Sequence, residues 1–286
     1  MPRRDMRPVV LIGAARSGTK ILRDSLAVAT NAGRVPYDIS YIWRYGNERS
    51  PDDALEPEAV QPKTVRLVRR FIGRYVGSDG LVIEKTVGNT LRVPYVAKIL
   101  PEASFVHLIR DGVDVTASTW REWHAPGDVT YLVAKARHFP VRMVPTYGRK
   151  FLVAQTWHRW RLGGTVGTWG PRYPGIDEDL ADTGAWAVCA RQWRSSVTSA
   201  RPELAKLPNR VVEVRFEDLL RDPAGTLRRS VRELGLPLDE ARVDDAASMI
   251  RPAAARGARQ ELDVDQRLLL EHEIGDLLKE LGYAQP

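Results

Sequence analysis

The chain contains one cysteine, Cys189, among its 286 residues. A single cysteine excludes an internal disulfide and leaves no cysteine pair with the spacing of a metal site. Long apolar runs are also missing, since none approaches the ~20 residues that a membrane-spanning helix needs. The apolar run 9–12, which follows a basic N-terminus, is shorter than the apolar region of a signal peptide, about 7–15 residues. We therefore expect a cytoplasmic protein with no membrane span.

Basic residues outnumber acidic ones, 43 against 36, and the formal net charge is +7. This balance favours an anionic partner. The basic residues are interleaved with acids, as in residues 228–233, and they form neither a dense tail nor the signature of a nucleic-acid-binding fold. We expect one anionic small-molecule site and no nucleic-acid partner.

Short apolar runs alternate with longer amphipathic stretches along the chain. Continuous apolar runs predict strands buried on both faces, and their alternation with helices predicts a parallel sheet of βαβ units. The predicted fold class is α/β, a three-layer α/β/α architecture with a central, mainly parallel sheet and ligands at the carboxyl ends of its strands. The predicted strands are 8–12, 81–84, 105–109 and 210–214, and the predicted helices are 20–29, 63–76, 90–100, 113–123, 186–200, 224–235 and 265–282.

Two stretches interrupt this alternation. Residues 36–62 are rich in aromatic residues, then in acids and prolines, and residues 124–183 hold many glycines, prolines and tryptophans. In an α/β enzyme such segments are either loops over the active site or surface segments without a role in it. The pattern leaves both interpretations open.

The opening sequence VVLIGAARSGTKILRDSL predicts a strand, a small-residue turn from Gly13 to Thr19 and a helix. The free N–H groups and the positive end of the helix dipole make such a turn an anion cradle. Gly13 and Gly18 have the spacing of the ATP/GTP P-loop G-x-x-x-x-G-K-[ST]. However, Lys20 comes one place late, and Ile21 stands where the Mg²⁺-binding hydroxyl belongs. This loop can hold phosphates without the metal ligand of an NTPase.

A second anion-binding pattern occurs in FVHLIRDGVDVTASTW. Arg110 follows a buried strand, and Ser118 lies one turn into the next helix. The planar fork of an arginine binds phosphate oxygens bidentately. The alternative is a structural ion pair of Arg110 with Asp111 or Asp114. Together the two motifs suggest a nucleotide with phosphates at two places and no required metal, which is 3′-phosphoadenosine 5′-phosphosulfate (PAPS) rather than ATP.

In these motifs the chain resembles the PAPS-dependent sulfotransferases, including the bacterial and glycan-modifying members, whose fold is P-loop-like. The run EKTVGNTLRVPYVAKILPEASFVHLIRDG and the segment VRFEDLLRDPAGTLRRSVRELGL also resemble that family. The resemblance implies that the 5′-phosphosulfate is bound by Ala15, Arg16, Ser17, Gly18, Thr19 and Lys20. It further implies that Arg110 and Ser118 bind the 3′-phosphate, and that Arg256 and Gly257 stand at the segment that closes over the donor. Arg16 departs from the family, which usually has lysine there.

The resemblance to glycan sulfotransferases implies that Glu84, at the end of a predicted strand, is the base for the acceptor proton. His107 is the rival base, although its apolar surroundings favour a place in the sheet. Charge on the transferred group would be stabilised by Arg16, Lys20 and Lys85. Small-molecule members often have histidine where Val87 stands, which favours the glutamate mechanism.

Seven of the eight tryptophans lie between Trp120 and Trp193. Trp157 and Trp160 lie three residues apart, on one face of a helix, and aromatic rings stack on sugar or aryl rings. Burial of that helix against the sheet is the favoured explanation. We interpret the chain as one sulfotransferase domain, 1–286, with an acceptor-binding insertion around 124–184 that takes a small molecule or glycan. A second acceptor wall is predicted over residues 36–45, which include Trp43, and Asn89 and Arg92 are predicted to contact the acceptor hydroxyl.

Two other functions are compatible with the same residues. A P-loop kinase or NTPase shares the strand, loop and helix at the N-terminus. A non-catalytic module could bind PAP, the product nucleotide, or another anion without turnover, with an affinity that falls steeply with salt. Such a module would leave Glu84 without a purpose.

Overall fold

The computed structural model describes residues 6–125, 170–251 and 258–286. The chain divides into two compact units. One unit comprises Met1–Ala117 and Gly170–Pro286, and the other is Ser118–Trp169. Of the second unit, the structure describes residues 118–125, which are mainly the C-terminal part of one helix.

The first unit is built on a sheet in which, within the described residues, five strands pair in the order β2-β3-β1-β4-β5. Every pairing is parallel. Val10, at the centre of the sheet, pairs with Glu84 on one side and with Phe105 on the other. The strands are β1 (Arg7–Ile12), β2 (Gly33–Arg34), β3 (Leu81–Lys85), β4 (Ser104–Ile109) and β5 (Val211–Arg215).

Helices connect and cover these strands. They are α1 (Thr19–Ala29), α2 (Ser40–Trp43), α3 (Pro62–Ile72), α4 (Val93–Ile99), α5 (Gly112–His124), α6 (Ile176–Lys206), α7 (Phe216–Arg221), α8 (Pro223–Glu233), α9 (Val243–Ser248) and α10 (Val264–Glu280). Helix α5 begins in the first unit and ends in the second.

Two apolar clusters account for the layers of the first unit. One cluster joins Val9 and Leu11 of β1 to Leu22 of α1 and Val231 of α8. The other joins the start of α5 to α6 and α10, through residues such as Trp193. Both clusters consist of fully or nearly fully buried aliphatic and aromatic side chains, so burial of apolar surface is the main force that holds the layers. The predicted α/β class with its parallel sheet is confirmed.

The predicted bounds of individual elements are less accurate where the apolar periodicity of the sequence is weak. Helix α6 begins at Ile176 rather than Trp186, and a break at Gly184, with φ of 81°, separates its first turns from the rest. The stretch 36–62 is not only a loop, because it contains α2, and Trp43 in that helix is fully buried. No helix of the described residues is long and apolar enough to cross a membrane.

Candidate functional site

The carboxyl ends of the parallel strands bring the sequence motifs together. Strand β1 ends at Ile12, β3 at Lys85, β4 at Ile109 and β5 at Arg215. In parallel α/β sheets this edge is where ligands bind, because the loops that leave it and the N-termini of the following helices face the same crevice. The candidate site is therefore the group of side chains that follow these four strands.

The loop between β1 and α1 has the backbone of an anion cradle. Arg16 has φ of 66° and Gly18 has φ of 91°, both in the left-handed region. Gly18 is the N-cap of α1, and no side chain caps the first turn of that helix. The first-turn N–H groups of α1 are thus not satisfied by a side chain, which is the arrangement that binds phosphate or sulfate oxygens.

Ser17 adds a hydroxyl to this cradle. Its side chain is 1% exposed, and its Oγ has no hydrogen-bond partner among the described residues. A buried hydroxyl without a partner is costly, so the Ser17 Oγ is available to bind a ligand oxygen. Lys20, one place into α1, is exposed and carries positive charge at the same end of the helix.

Gly18 is required by both its conformation and its neighbour. A Cβ at this position would lie 2.3 Å from Cε2 of Phe216, the first residue of α7. We expect Gly18→Ala to lower the free energy of unfolding by about 2–4 kcal/mol, through left-handed strain and overpacking. The measurement is urea unfolding of the variant and of the wild type.

Gly175→Ala is the matched control, because Gly175 has a similar φ of 85° and a Cβ there would have no described atom within 4 Å. Gly175→Ala should lower the free energy of unfolding only by the cost of the left-handed backbone, about 1–2 kcal/mol. Equal losses in the two variants would contradict the packing of Phe216 against the loop.

Arg110 connects the loop to the strand end. It is 8% exposed, its Nη1 donates to the backbone oxygen of Arg16 at 3.2 Å, and its Nη2 lies 3.5 Å from Oδ2 of Asp114. The guanidinium also stacks on the ring of Phe216, 4.5 Å from its centroid. The alternative ion pair with Asp114 is therefore present at a long distance, beside the contacts of the guanidinium with the loop carbonyl and the ring.

Two aromatic residues that support Arg110 were not predicted as site residues. Phe216 stacks on its guanidinium, and Trp193 donates from Nε1 to its backbone oxygen at 3.0 Å. Phe216 directly follows β5, so the parallel order of the strands was a signal that could have found it. Trp193 lies in α6, far away in sequence, and only the packing of that helix brings it to the end of β4.

Three residues that were predicted to bind the nucleotide are not placed beside the β1–α1 loop by the described part of the chain. Arg256 and Gly257 lie outside them, although the next two residues are anchored near Arg110: the N–H of Ala258 donates to Oδ1 of Asp114 at 3.0 Å, and Arg259 pairs with Asp111. Ser118 lies in α5 but belongs to the second unit. Its convergence with Arg110 stays a prediction.

Glu84 is fully buried at the carboxyl end of β3. Its Oε1 accepts from the Nε1 of Trp43 at 3.2 Å and from the Oγ1 of Thr86 at 2.5 Å. Its Oε2 accepts from the Nδ2 of Asn89 at 3.2 Å. A carboxylate offers about four lone-pair sites, so Oε2 keeps capacity for one more donor.

Burial raises the pKa of Glu84 to about 7, from 4.5. The hydrogen bonds from Thr86 and Trp43 act in the opposite direction, as does the charge of Lys85, whereas the charge of Asp38 adds to the rise. Desolvation dominates because the side chain has no exposed surface. A carboxylate with a pKa near neutrality is well matched to general-base catalysis.

Lys85 and His107 occupy different surroundings from Glu84. Lys85 is the last residue of β3 and directly follows Glu84, so the two side chains lie on opposite faces of the sheet. Lys85 shares its face with Ile83 and with Leu11, which is its partner in β1. His107 is 2% exposed within β4, and its Nδ1 lies 3.2 Å from Oε2 of Glu213 on β5. The interpretation of His107 as a sheet residue therefore agrees with the structure.

The predicted acceptor contacts of three residues are not supported. Trp43 is fully buried and donates to Glu84, so its ring is not an open wall. Asn89 and Arg92 are 0% and 1% exposed. Their polar atoms bind Glu84, Asp53 and Ser40, as well as each other. The pattern missed this because spacing along the chain does not show which polar groups are buried. Trp157 and Trp160 lie outside the described residues.

A model of the "Sulfotransferase family" matches residues 38–155 and 167–240. The omega-hydroxy-beta-dihydromenaquinone-9 sulfotransferase Stf3 of Mycobacterium bovis is 23% identical over 238 residues, which are 81% of this chain and 50% of that protein. The chain thus spans about half the length of the curated relatives it matches.

Two of the solved structures with a similar fold are bacterial. Sulfotransferase STF9 of Mycobacterium avium superposes with a TM-score of 0.56 at 13% identity, covering 99% of this chain and 78% of that one. The sulfotransferase domain of the olefin synthase of Synechococcus PCC 7002 gives a TM-score of 0.52 at 17% identity, covering 100% and 98%. At these identities the likeness shows the fold.

Proposed function

This chain belongs to the sulfotransferase family, and we propose that it transfers a sulfuryl group from PAPS to a hydroxyl or amine of an acceptor. The observation that carries the proposal is the joint geometry of the β1–α1 loop and Arg110. A buried, unpartnered hydroxyl at Ser17, an uncapped helix start and a guanidinium bonded to the loop carbonyl lie at one sheet edge of the described residues.

The residues present fit the two anionic groups of the donor. The loop from Ala15 to Lys20 would hold the 5′-phosphosulfate, with backbone N–H groups and the Ser17 hydroxyl as donors. Arg110 would hold the 3′-phosphate. When bound, PAPS supplies an activated sulfuryl group with PAP as its leaving group.

Glu84 is proposed as the base for the acceptor proton, through Oε2. As the new bond from the acceptor oxygen or nitrogen to sulfur forms and the bond from sulfur to the phosphate oxygen breaks, Glu84 takes the acceptor proton. Trp43, Thr86 and Asn89 hold the carboxylate at one orientation before the reaction, because all three donate to it. Preorganisation of this kind lowers the cost of reaching the transition state.

Positive side chains around the loop are proposed to stabilise charge on the sulfuryl oxygens and on the leaving group. Arg16 and Lys20 are both exposed, at the turn and at the start of α1. Lys85, half-buried at the end of β3, is the third candidate. Cations fixed near a site of developing negative charge are the main source of catalysis in the related phosphoryl transfers.

The acceptor class is proposed from one relative. The mycobacterial protein is named for a hydroxylated dihydromenaquinone, a natural product with a hydroxyl as the reacting group. A natural-product hydroxyl is therefore favoured over a glycan, and the segment around 124–184 is proposed to bind it. No metal is required by the proposed chemistry.

Isothermal titration with PAP in the absence of metal, beside ATP with Mg²⁺, tests the donor assignment. We expect micromolar binding of PAP and little binding of ATP. Tight binding of ATP–Mg²⁺ without PAP binding would overturn the proposal in favour of a kinase. After PAP binding is seen, transfer of label from radiolabelled PAPS to hydroxylated acceptors distinguishes an enzyme from a PAP-binding module.

A further inference from the structure

A buried chain of hydrogen bonds runs from Glu84 to a second carboxylate, Asp53. Oε2 of Glu84 accepts from Nδ2 of Asn89 at 3.2 Å, and Oδ1 of Asn89 accepts from Nε of Arg92 at 2.9 Å. Nη1 of Arg92 lies 3.5 Å from Oδ1 of Asp53, and Nη2 donates to Oγ of Ser40 at 3.2 Å. The side chain of Arg92 has no exposed surface.

The chemistry of the arginine determines the orientation of the amide. A guanidinium has donors and no acceptor, so the Asn89 atom that faces Arg92 must be the oxygen. The NH₂ end of the same amide then faces Glu84. An amide held this way donates to the carboxylate, whereas a turned amide would accept from a protonated carboxyl group.

We propose that Arg92 is a positioning residue, which keeps the Asn89 amide in the orientation that favours the ionised, proton-accepting form of Glu84. This inference rests on the proposed function for the role of Glu84 as a base. Arg92 is separated from Glu84 by Asn89, and its guanidinium binds Asn89, Asp53 and Ser40.

Asp53 is the group that holds Arg92 in place. Burial lowers the pKa of Arg92, and the charge of Asp53 opposes that effect. A buried cation needs such a partner, since isolated burial of charge is costly. Asp53 is itself fixed, because its Oδ1 also accepts from Arg44 at 3.2 Å and its Oδ2 accepts from the N–H of Arg172 at 3.0 Å.

Other charged groups act on Glu84 from its own strand and from the segment before α2. Lys85 lowers its pKa and Asp38 raises it. Asp38 is bound through Oδ2 to the N–H of Val87 at 2.9 Å and through Oδ1 to the N–H of Ser40 at 3.0 Å. A test of Arg92 must therefore leave these two residues unchanged.

The experiment is an infrared titration of the Glu84 carboxyl group, identified by its loss in Glu84→Gln. In Arg92→Met we expect the pKa of Glu84 to rise, because the donor to its charged form is no longer held. Arg92→Lys keeps a buried charge but loses the Nε donor, and it should show part of the rise. It also serves as the test variant if Arg92→Met does not fold.

A double-mutant cycle separates positioning from simple attraction between charges. Asn89→Leu removes the amide and should raise the pKa by itself, and adding Arg92→Met to it should then have little further effect. An undiminished effect of Arg92→Met in that background, or no shift in Arg92→Lys, would overturn the proposal.

The matched control is Arg44→Met. Arg44 binds the same oxygen of Asp53 but makes no hydrogen bond to Asn89, so the pKa of Glu84 should stay unchanged. A shift as large as that of Arg92→Met would refute a specific role for Arg92. The infrared titration needs no substrate, so it tests the positioning of Asn89 separately from the proposed function. If the pKa shifts occur as expected but the protein does not bind PAP, the donor assignment is refuted and the positioning of Asn89 is not.

Discussion

Glu84→Gln is expected to reduce the rate of sulfuryl transfer by roughly 10²–10⁴-fold, which is the usual contribution of a general base. The amide of glutamine cannot take the acceptor proton. Its NH₂ group would also face donors at either end of the site, Trp43 and Thr86 at the position of Oε1 or Asn89 at the position of Oε2. PAP binding should change little, since Arg110 and the β1–α1 loop are untouched. The measurement is single-turnover transfer of radiolabel from PAPS, with PAP titration alongside.

The pH dependence of the same reaction follows from the pKa of Glu84. Burial puts that pKa at about 7, and only the ionised form accepts a proton. We therefore expect kcat/KM to rise with pH up to about 7 and to be lost as the pH falls below it.

His107→Gln is the matched control for the rival base. His107 is bonded to Glu213 within the sheet, so the variant should keep the rate within a few-fold and leave the pH profile in place. A large loss in His107→Gln together with a small loss in Glu84→Gln would transfer the role of base to the histidine.

Arg110→Ala is expected to weaken PAP binding roughly 100-fold, which corresponds to loss of a charge-assisted pair of hydrogen bonds. The guanidinium is prepared for that role, because Phe216 supports its face and the oxygen of Arg16 orients one amino group. Isothermal titration with PAP measures the effect.

Arg110→Lys is informative because it keeps the positive charge and loses the planar guanidinium that binds two phosphate oxygens at once. It should recover only part of the affinity. If Arg110 serves only as the ion-pair partner of Asp114, Arg110→Ala would lower stability and leave the PAP affinity unchanged. Thermal unfolding of the same variant distinguishes these outcomes.

Sequence and structure agree best where a pattern has a strong local cause. Continuous apolar runs predicted β1, β3 and β4, because a strand buried on both faces carries few polar residues. The strand β5 was also predicted, but it lies at an edge of the described sheet, and its face with Glu213 is partly exposed. The glycine turn before α1 was also predicted, since few residues other than glycine allow a left-handed backbone such as that at Gly18. The strand β2, with two residues, and the short helix α2 have no such signal.

The hydrogen-bond partners of Glu84 could not be predicted from the pattern of residues along the chain. Its donors come from α2, from Thr86 just after its own strand, and from Asn89 in the turn that follows β3. Asn89 and Arg92 were expected at the acceptor and instead lie behind the carboxylate. Spacing along a chain cannot distinguish these places, because they differ in burial and not in periodicity.

The sequence by itself determined the class of fold, the family and the two motifs that we propose to bind phosphate, because these depend on local backbone geometry and on the apolar period of single elements. Only the tertiary structure decided that Phe216 and Trp193 support Arg110, and that Trp43 and the pair Asn89–Arg92 hold Glu84. The reason is physical: hydrogen bonds between distant segments and the loss of solvent around a carboxylate arise only when the layers pack. The pKa of Glu84, on which the proposed chemistry depends, is a property of that packing.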